Sequence, residues 1–169
     1  LGADMDAPVV DAAIDFLRAR PAGGNPFFAY ISFMAPHDPR TMPRQYLEMY
    51  DPARIELPAS FMAEHPFDNG ELKIRDEMLA PFPRTPDEVR QHIAAYYAMI
   101  THADAHLGRV LSALEESGLA DDTIVVFAGD NGLALGRHGL LGKQSVYDHS
   151  VHVPLVMSGP GIPGGQQRD

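Results

Sequence analysis

Asp130 and Asn131 are adjacent, and they offer two hard oxygen donors, suited to Ca2+ or Mg2+ rather than to a thiophilic metal. Lys143 follows in Leu140-Leu141-Gly142-Lys143, where an ammonium among glycines and apolar residues can act as a point charge toward an anion. His138 lies between Arg137 and Gly139, and His37 lies in Ala35-Pro36-His37-Asp38-Pro39-Arg40. Either imidazole can bind an anion or act as an acid. Each group also has an ordinary reading. Asp-Asn-Gly is a common turn sequence, two oxygens fall short of the roughly six to eight that Ca2+ takes, and most loop histidines and lysines are simply solvated. His102 and His106 have the i, i+4 spacing of a helical metal pair, with Asp104 between them. The Glu and third ligand of such a motif are missing, so they read as helix surface or packing against the sheet. His149 and His152 read as structural.

The elements that must position these groups follow from local pattern. Thr123-Ile124-Val125-Val126-Phe127 is a β-branched and aromatic run, expected as a buried strand ended by Gly129. Val153-Pro154-Leu155-Val156-Met157 is a second such run, closed by Gly159-Pro160-Gly161. Asp130 and Asn131 therefore sit just past the carboxyl end of a strand, where open α/β folds put their sites. His37 has the same relation to Phe27-Phe28-Ala29-Tyr30-Ile31-Ser32-Phe33, which reads as a central strand covered on both faces.

Asp6 is expected to cap a helix running to about Arg20, with Val9, Val10, Ala13, Ile14 and Leu17 at helical spacing. The breaker cluster Pro21-Ala22-Gly23-Gly24-Asn25-Pro26 follows. Thr85-Pro86-Asp87-Glu88 starts a long helix to about Ser117, with Gly118 as its C-cap. Its expected buried stripe is Ile93, Tyr96, Tyr97, Ile100, Leu107, Val110, Leu111 and Leu114. From Thr41 to Pro86 there is little periodicity beyond a short helix at Gln45 to Tyr50, as in a lid or a surface excursion. The order of elements is α/β, a mostly parallel sheet flanked by helices.

The 169 residues suffice for a domain with a real core. A formal net charge of −10 argues against nucleic acid or an anionic membrane as the main partner. The absence of cysteine excludes disulfides, thiolate metal sites and a cysteine nucleophile within the sequence. No stretch is long and apolar enough to span a bilayer. Leu1-Gly2-Ala3-Asp4 has no methionine start and no signal pattern, and Gly164 to Asp169 reads as the middle of a loop, so a fragment is expected.

Taken together, Asp130-Asn131-Gly132, Leu135-Gly136-Arg137-His138-Gly139, Lys143, Tyr147-Asp148, Val153-Pro154-Leu155 and Gly159-Pro160-Gly161 resemble the carboxyl-side signature of the sulfatase family, within the alkaline phosphatase superfamily. Pro36-His37-Asp38-Pro39 resembles that family's Pro-His-x-Pro loop, and Tyr96-Tyr97, Asp104 and Leu107-Gly108-Arg109 resemble its long helix. The resemblance covers nearly all of residues 1–169. It implies a partial alkaline-phosphatase-like catalytic domain, lacking the amino-terminal nucleophile region and the smaller carboxyl-terminal subdomain.

It further implies that Asp130 and Asn131 are Ca2+ ligands, with Mg2+ as the alternative. Lys143 and His37 would hold the sulfate group and its bridging oxygen, and His138 would lie near the site. A sulfated small molecule or sugar is then the substrate, and a periplasmic or secreted location is implied. The family's Cys/Ser-x-Pro-x-Arg motif, source of its formylglycine nucleophile, is absent, as are its paired amino-terminal aspartates. The alternatives are a phosphonate or phosphate ester hydrolase of the same superfamily, and a non-catalytic relative.

Overall fold

The computed structural model describes residues 4–21 and 23–167. Leu1 to Ala3, Ala22, Arg168 and Asp169 lie outside the described residues. In chain order the elements are α1 (Ala7–Arg18), α2 (Arg44–Leu47), α3 (Pro86–Glu116), β1 (Val125–Ala128), α4 (Asp148–Val151) and β2 (Leu155–Ser158). Single 3-10 turns lie at Pro52–Arg54, Glu77–Leu79 and Ala120–Asp122. The chain forms two compact units, one of residues 1–47, 98–127 and 156–169, the other of residues 48–97 and 128–155.

In the first unit, α1 and the carboxyl-terminal part of α3 bury Val10, Ile14 and Leu17 with Val110, Ala113 and Leu114. Each fully buried side chain of this size contributes about 1.5–3 kcal/mol. Asp6 occupies the N-cap position of α1, as the sequence suggested, but its side chain makes no cap bond. Its carboxylate accepts from the backbone N–H of Met34 (2.6 Å) and Ala35 (3.1 Å), while the helix start is served by Asp4, whose Oδ1 accepts from Ala7 N–H (2.9 Å). Asp6 thereby ties the turn before His37 to α1, because His37 N–H donates to Met34 O at 2.9 Å.

Residues 27–33 do not form the expected central strand. A strand exists only by pairing, and among the described residues this segment has no ladder partner. Phe27, Ile31 and Phe33 pack on the helical core, while Phe28 and Tyr30 stand 88% and 83% exposed. The strands that do form, β1 and β2, pair as a two-stranded sheet. They were expected to be buried, yet Val126, Phe127, Leu155, Val156 and Met157 are exposed, because no layer within the described residues covers them.

In the second unit, Val89 and Ile93 of α3 bury with Leu135 against Ile55, Leu57, Phe61, Tyr96 and Leu133. The α3 start behaves as the sequence predicts: Thr85 Oγ1 accepts from Glu88 N–H (3.3 Å) and donates to Glu88 Oε2 (2.7 Å). The buried stripe of α3 differs from the expected one. It runs through Val89, Ile93, Ala98, His102, His106, Val110 and Leu114, and leaves Tyr97 and Ile100 over 40% exposed. The two histidines are thus interior residues, with Asp104 on the exposed side.

Candidate functional site

The second unit builds its candidate site on the loop from Gly129 to Lys143. Gly129 ends β1 and donates to Pro154 O at 3.0 Å. The chain then turns: Asn131 N–H donates to Asp130 Oδ1 at 3.0 Å, and Asn131 Nδ2 donates to Gly132 O at 2.9 Å. That bond uses the amide nitrogen and leaves the amide oxygen, the atom with metal-ligand chemistry, outside it. Gly132 N–H donates to Ser150 O at 3.0 Å. A Cβ at Gly132 would collide with the His149 carbonyl oxygen, so only glycine permits this close approach.

From Ala134 the loop folds back on itself. Ala134 N–H donates to Gly142 O at 2.8 Å and Gly136 N–H to Leu140 O at 2.7 Å. At its tip His138 adopts φ +54°, in the left-handed region that costs a non-glycine residue energy. Local bonds hold it there: His138 N–H donates to Ser60 O (2.8 Å), and His138 O accepts from His65 Nδ1 (2.7 Å). The carbonyl can only accept, so Nδ1 of His65 donates, and His65 Nε2 is buried without a hydrogen-bond partner. The His138 ring stacks on Tyr147 with centroids 4.4 Å apart. His149 lies 5.5 Å from Tyr147 and 6.0 Å from His138. Burial, then the charges of His138 and Arg137, push the His149 imidazole down to about 4 against the opposing charge of Asp148.

Lys143 is positioned by residues that the sequence pattern did not mark. Glu77 accepts the Leu141 N–H at Oε2 (2.9 Å) and the Gly142 N–H at Oε1 (2.7 Å). Arg84, fully buried, donates to Glu77 Oε2 at 2.7 Å and to the Glu77 carbonyl at 2.8 Å. Burial lowers the pKa of Arg84, and the neighbouring carboxylate of Glu77 acts to restore it. Lys143 N–H donates to Gln144 Oε1 (3.0 Å), whose Nε2 donates to Asp76 (2.9 Å). Burial acts to raise the Asp76 pKa, but hydrogen bonds from Gln144 and Arg75 and the charges of Arg75 and Lys143 hold it below the usual carboxylate range.

Of the residues singled out from sequence, Asp130, Asn131, His138 and Lys143 share this one loop. His37 belongs to the other unit, where its Nδ1 lies 2.8 Å from Asp38 O. The Asp130 carboxylate is exposed, and with the Asn131 amide it supplies hard oxygens of the kind Ca2+ and Mg2+ take. That donor set fits part of a coordination shell. Sequence reasoning also missed Asp4, which meets His102 and His106 in the first unit. No local signal reveals it, since it lies 98 and 102 residues away along the chain.

The Sulfatase family model matches residues 2–169. Iduronate 2-sulfatase of Homo sapiens is 31% identical over 170 residues, which cover 92% of this chain and 30% of the human protein. An arylsulfatase of Clostridium perfringens is 35% identical over 154 residues, covering 90% of this chain and 31% of that enzyme. The crystal structure of a phosphonate monoester hydrolase of Agrobacterium radiobacter superposes with a TM-score of 0.78 at 31% identity, over 92% of this chain and 33% of that one. The chain thus spans about a third or less of each of these relatives. It belongs to the sulfatase family, within the alkaline phosphatase superfamily.

Proposed function

We propose that this chain is the central to carboxyl-side part of a sulfatase catalytic domain, and that the whole protein hydrolyses sulfate esters of small molecules or sugars. The observation that carries the reading is the family match over residues 2–169. In this reading Asp130 and Asn131 hold a Ca2+ or Mg2+ ion, and a formylglycine nucleophile and further metal ligands come from residues outside 1–169. When bound, the divalent ion offsets negative charge on the sulfate oxygens.

The chain's own part is positioning and charge. Lys143, carried on the turn that Glu77 holds, presents an ammonium to the sulfate oxygens, where transition-state charge develops. His37 binds near the bridging oxygen and can donate a proton as the leaving group departs. His138 borders the site. The exposed apolar residues of β1 and β2, with Phe28 and Tyr30, have the composition of sheet interior. That supports a larger, mostly parallel, alkaline-phosphatase-like sheet in the whole protein. A periplasmic or secreted location goes with this reading.

A second reading, phosphonate ester hydrolysis, is favoured by the TM-score of 0.78 to the Agrobacterium enzyme. The deciding experiment measures kcat/KM of the purified whole protein for an aryl sulfate and an aryl phosphonate side by side. The sulfatase reading expects the sulfate to be preferred. A preference for the phosphonate, or no turnover of the sulfate with metal supplied, overturns it.

A further inference from the structure

We propose that Asp4, His102 and His106 form a site for a transition-metal dication of the Zn2+ type, a role beyond the sulfatase reading and independent of it. All three residues lie in the first unit. His102 and His106, one turn apart on α3, occupy its buried stripe, and both aim Nε2 at the Asp4 carboxylate. His102 Nε2 is 3.1 Å from Oδ2, and His106 Nε2 is 3.0 Å from Oδ1 and 2.9 Å from Oδ2. The three ligand atoms all fall within 4.8 Å of one another. A tetrahedral ion with bonds of about 2.0–2.2 Å sets its ligand atoms roughly 3.4 Å apart. The Asp4–histidine contacts need open by only a few tenths of an ångström to reach that spacing.

The donor set selects the metal. Two imidazoles and one carboxylate match Zn2+ and its borderline neighbours, not the oxygen-seeking Ca2+ or Mg2+. The imidazoles are buried, with side-chain exposures of 9% and 6%, whereas Asp4 is 29% exposed. A fourth position on the Asp4 side is therefore open to water. The ligands are also held in place. The Tyr46 ring lies 4.7 Å from that of His102, and Asp4 is fixed at the start of α1 by the Ala7 N–H.

One neighbour opposes the ion. Arg109 Nη1 lies 3.2 Å from His106 Nδ1 and can only donate, so without metal Nδ1 accepts and the His106 proton sits on Nε2. Metal binding takes the Nε2 lone pair and moves that proton to Nδ1. Arg109 must then release the ring, keeping its 2.6 Å bond to Asp11. Arg109 is thus a brake on the site.

The test is a Co2+ titration of the EDTA-treated chain, read by visible absorption, with Zn2+ and Ca2+ as competitors. One equivalent with a tetrahedral spectrum, displaced by Zn2+ and not by Ca2+, is expected. His102→Gln and His106→Gln each keep an N–H for Asp4 but lose the imidazole. Each is expected to weaken Co2+ by more than the roughly 10–100-fold typical of an outer-shell loss. Arg109→Leu is expected to tighten binding, and Asp130→Ala to leave it unchanged. No spectrum at millimolar Co2+, or one that survives both glutamine variants, overturns the proposal and leaves a hydrogen-bonded cluster. If a glutamine variant fails to fold, the imidazole resonances of His102 and His106 in the unsubstituted chain decide. Shifts saturating at one equivalent of Zn2+ support the site, and unshifted resonances overturn it.

Discussion

Glu77 and Arg84 form an ion pair with Nη2 2.7 Å from Oε2 and side-chain exposures of 5% and 0%. The same carboxylate accepts the Leu141 and Gly142 N–H groups. One buried acid therefore neutralises a buried guanidinium and fixes the turn that carries Lys143. Glu77→Ala would strand Arg84 as an unpaired buried charge and orphan two backbone donors. A loss of about 3–5 kcal/mol is expected, read from urea unfolding. Amide exchange at Leu141 and Gly142 should speed up in the milder Glu77→Gln. A loss under about 1 kcal/mol for Glu77→Ala would show that the pair is not an anchor.

The consequence for turnover concerns Lys143 in the whole protein. If its ammonium meets the sulfate oxygens, Lys143→Ala should lower kcat/KM about 10²- to 10³-fold. Its effect on stability should stay within about ±0.5 kcal/mol. Lys143→Arg should not rescue, since a planar fork does not replace a compact ammonium. Near-unchanged kcat/KM in Lys143→Ala, with Asp130→Ala inactive, would reduce Lys143 to a solvated side chain.

Why was the loop legible in the sequence while its supports were not? Asp130, Asn131, His138 and Lys143 lie within a short span whose glycines and flanking apolar runs announce a turn-rich loop. The Thr85 and Glu88 cap was legible for the same reason: both partners lie within one helical turn. Glu77 reaches residues 64 and 65 positions away, from a stretch without periodicity. Asp4 reaches His102 across 98 positions. Side-chain pairing at such separation leaves no local pattern. The segment at 27–33 shows the same limit from the other side. Its apolar residues state that it can pack, but a strand also needs a neighbour, and residue type does not supply one.

His149 gives a pH dependence. Its imidazole titrates at about 4 in the folded chain, against an ordinary value near 6.5. Below about pH 6.5 the unfolded chain takes up a proton that the folded one refuses, so stability is full above that pH and falls as pH drops toward 4. With screening at a partly exposed ring, a loss on the order of 1–2 kcal/mol is expected across this window. Asp76, held below its usual range, acts only at lower pH. The check is unfolding free energy at pH 7, 5.5 and 4 for the chain and for His149→Gln. The variant should lose less stability over that range, and an equal loss would assign the dependence elsewhere.

Two glycines make opposite predictions for the same substitution. Gly132 follows the Asp130-Asn131 turn, and its missing Cβ lets the chain pass the His149 carbonyl at the end of the second unit's α4. Gly132→Ala must push the turn off that carbonyl and strain the Gly132 N–H bond to Ser150. Overpacking of this kind costs about 1–3 kcal/mol or more. If Asp130 and Asn131 hold Ca2+ as proposed, the whole protein should also lose Ca2+ affinity, because both are bonded to the moving segment. Gly108, on the exposed side of α3, has nothing within 4 Å of its would-be Cβ. Gly108→Ala should therefore stabilise the helix by roughly 0.5–1 kcal/mol through lower unfolded-state entropy, with Ca2+ affinity unchanged. Thermal unfolding of both variants, with Ca2+ titration of the whole protein, checks the pair. If Gly132→Ala is as benign as Gly108→Ala, the turn is not clamped against α4, and its geometry cannot be what sets the placing of Asp130 and Asn131.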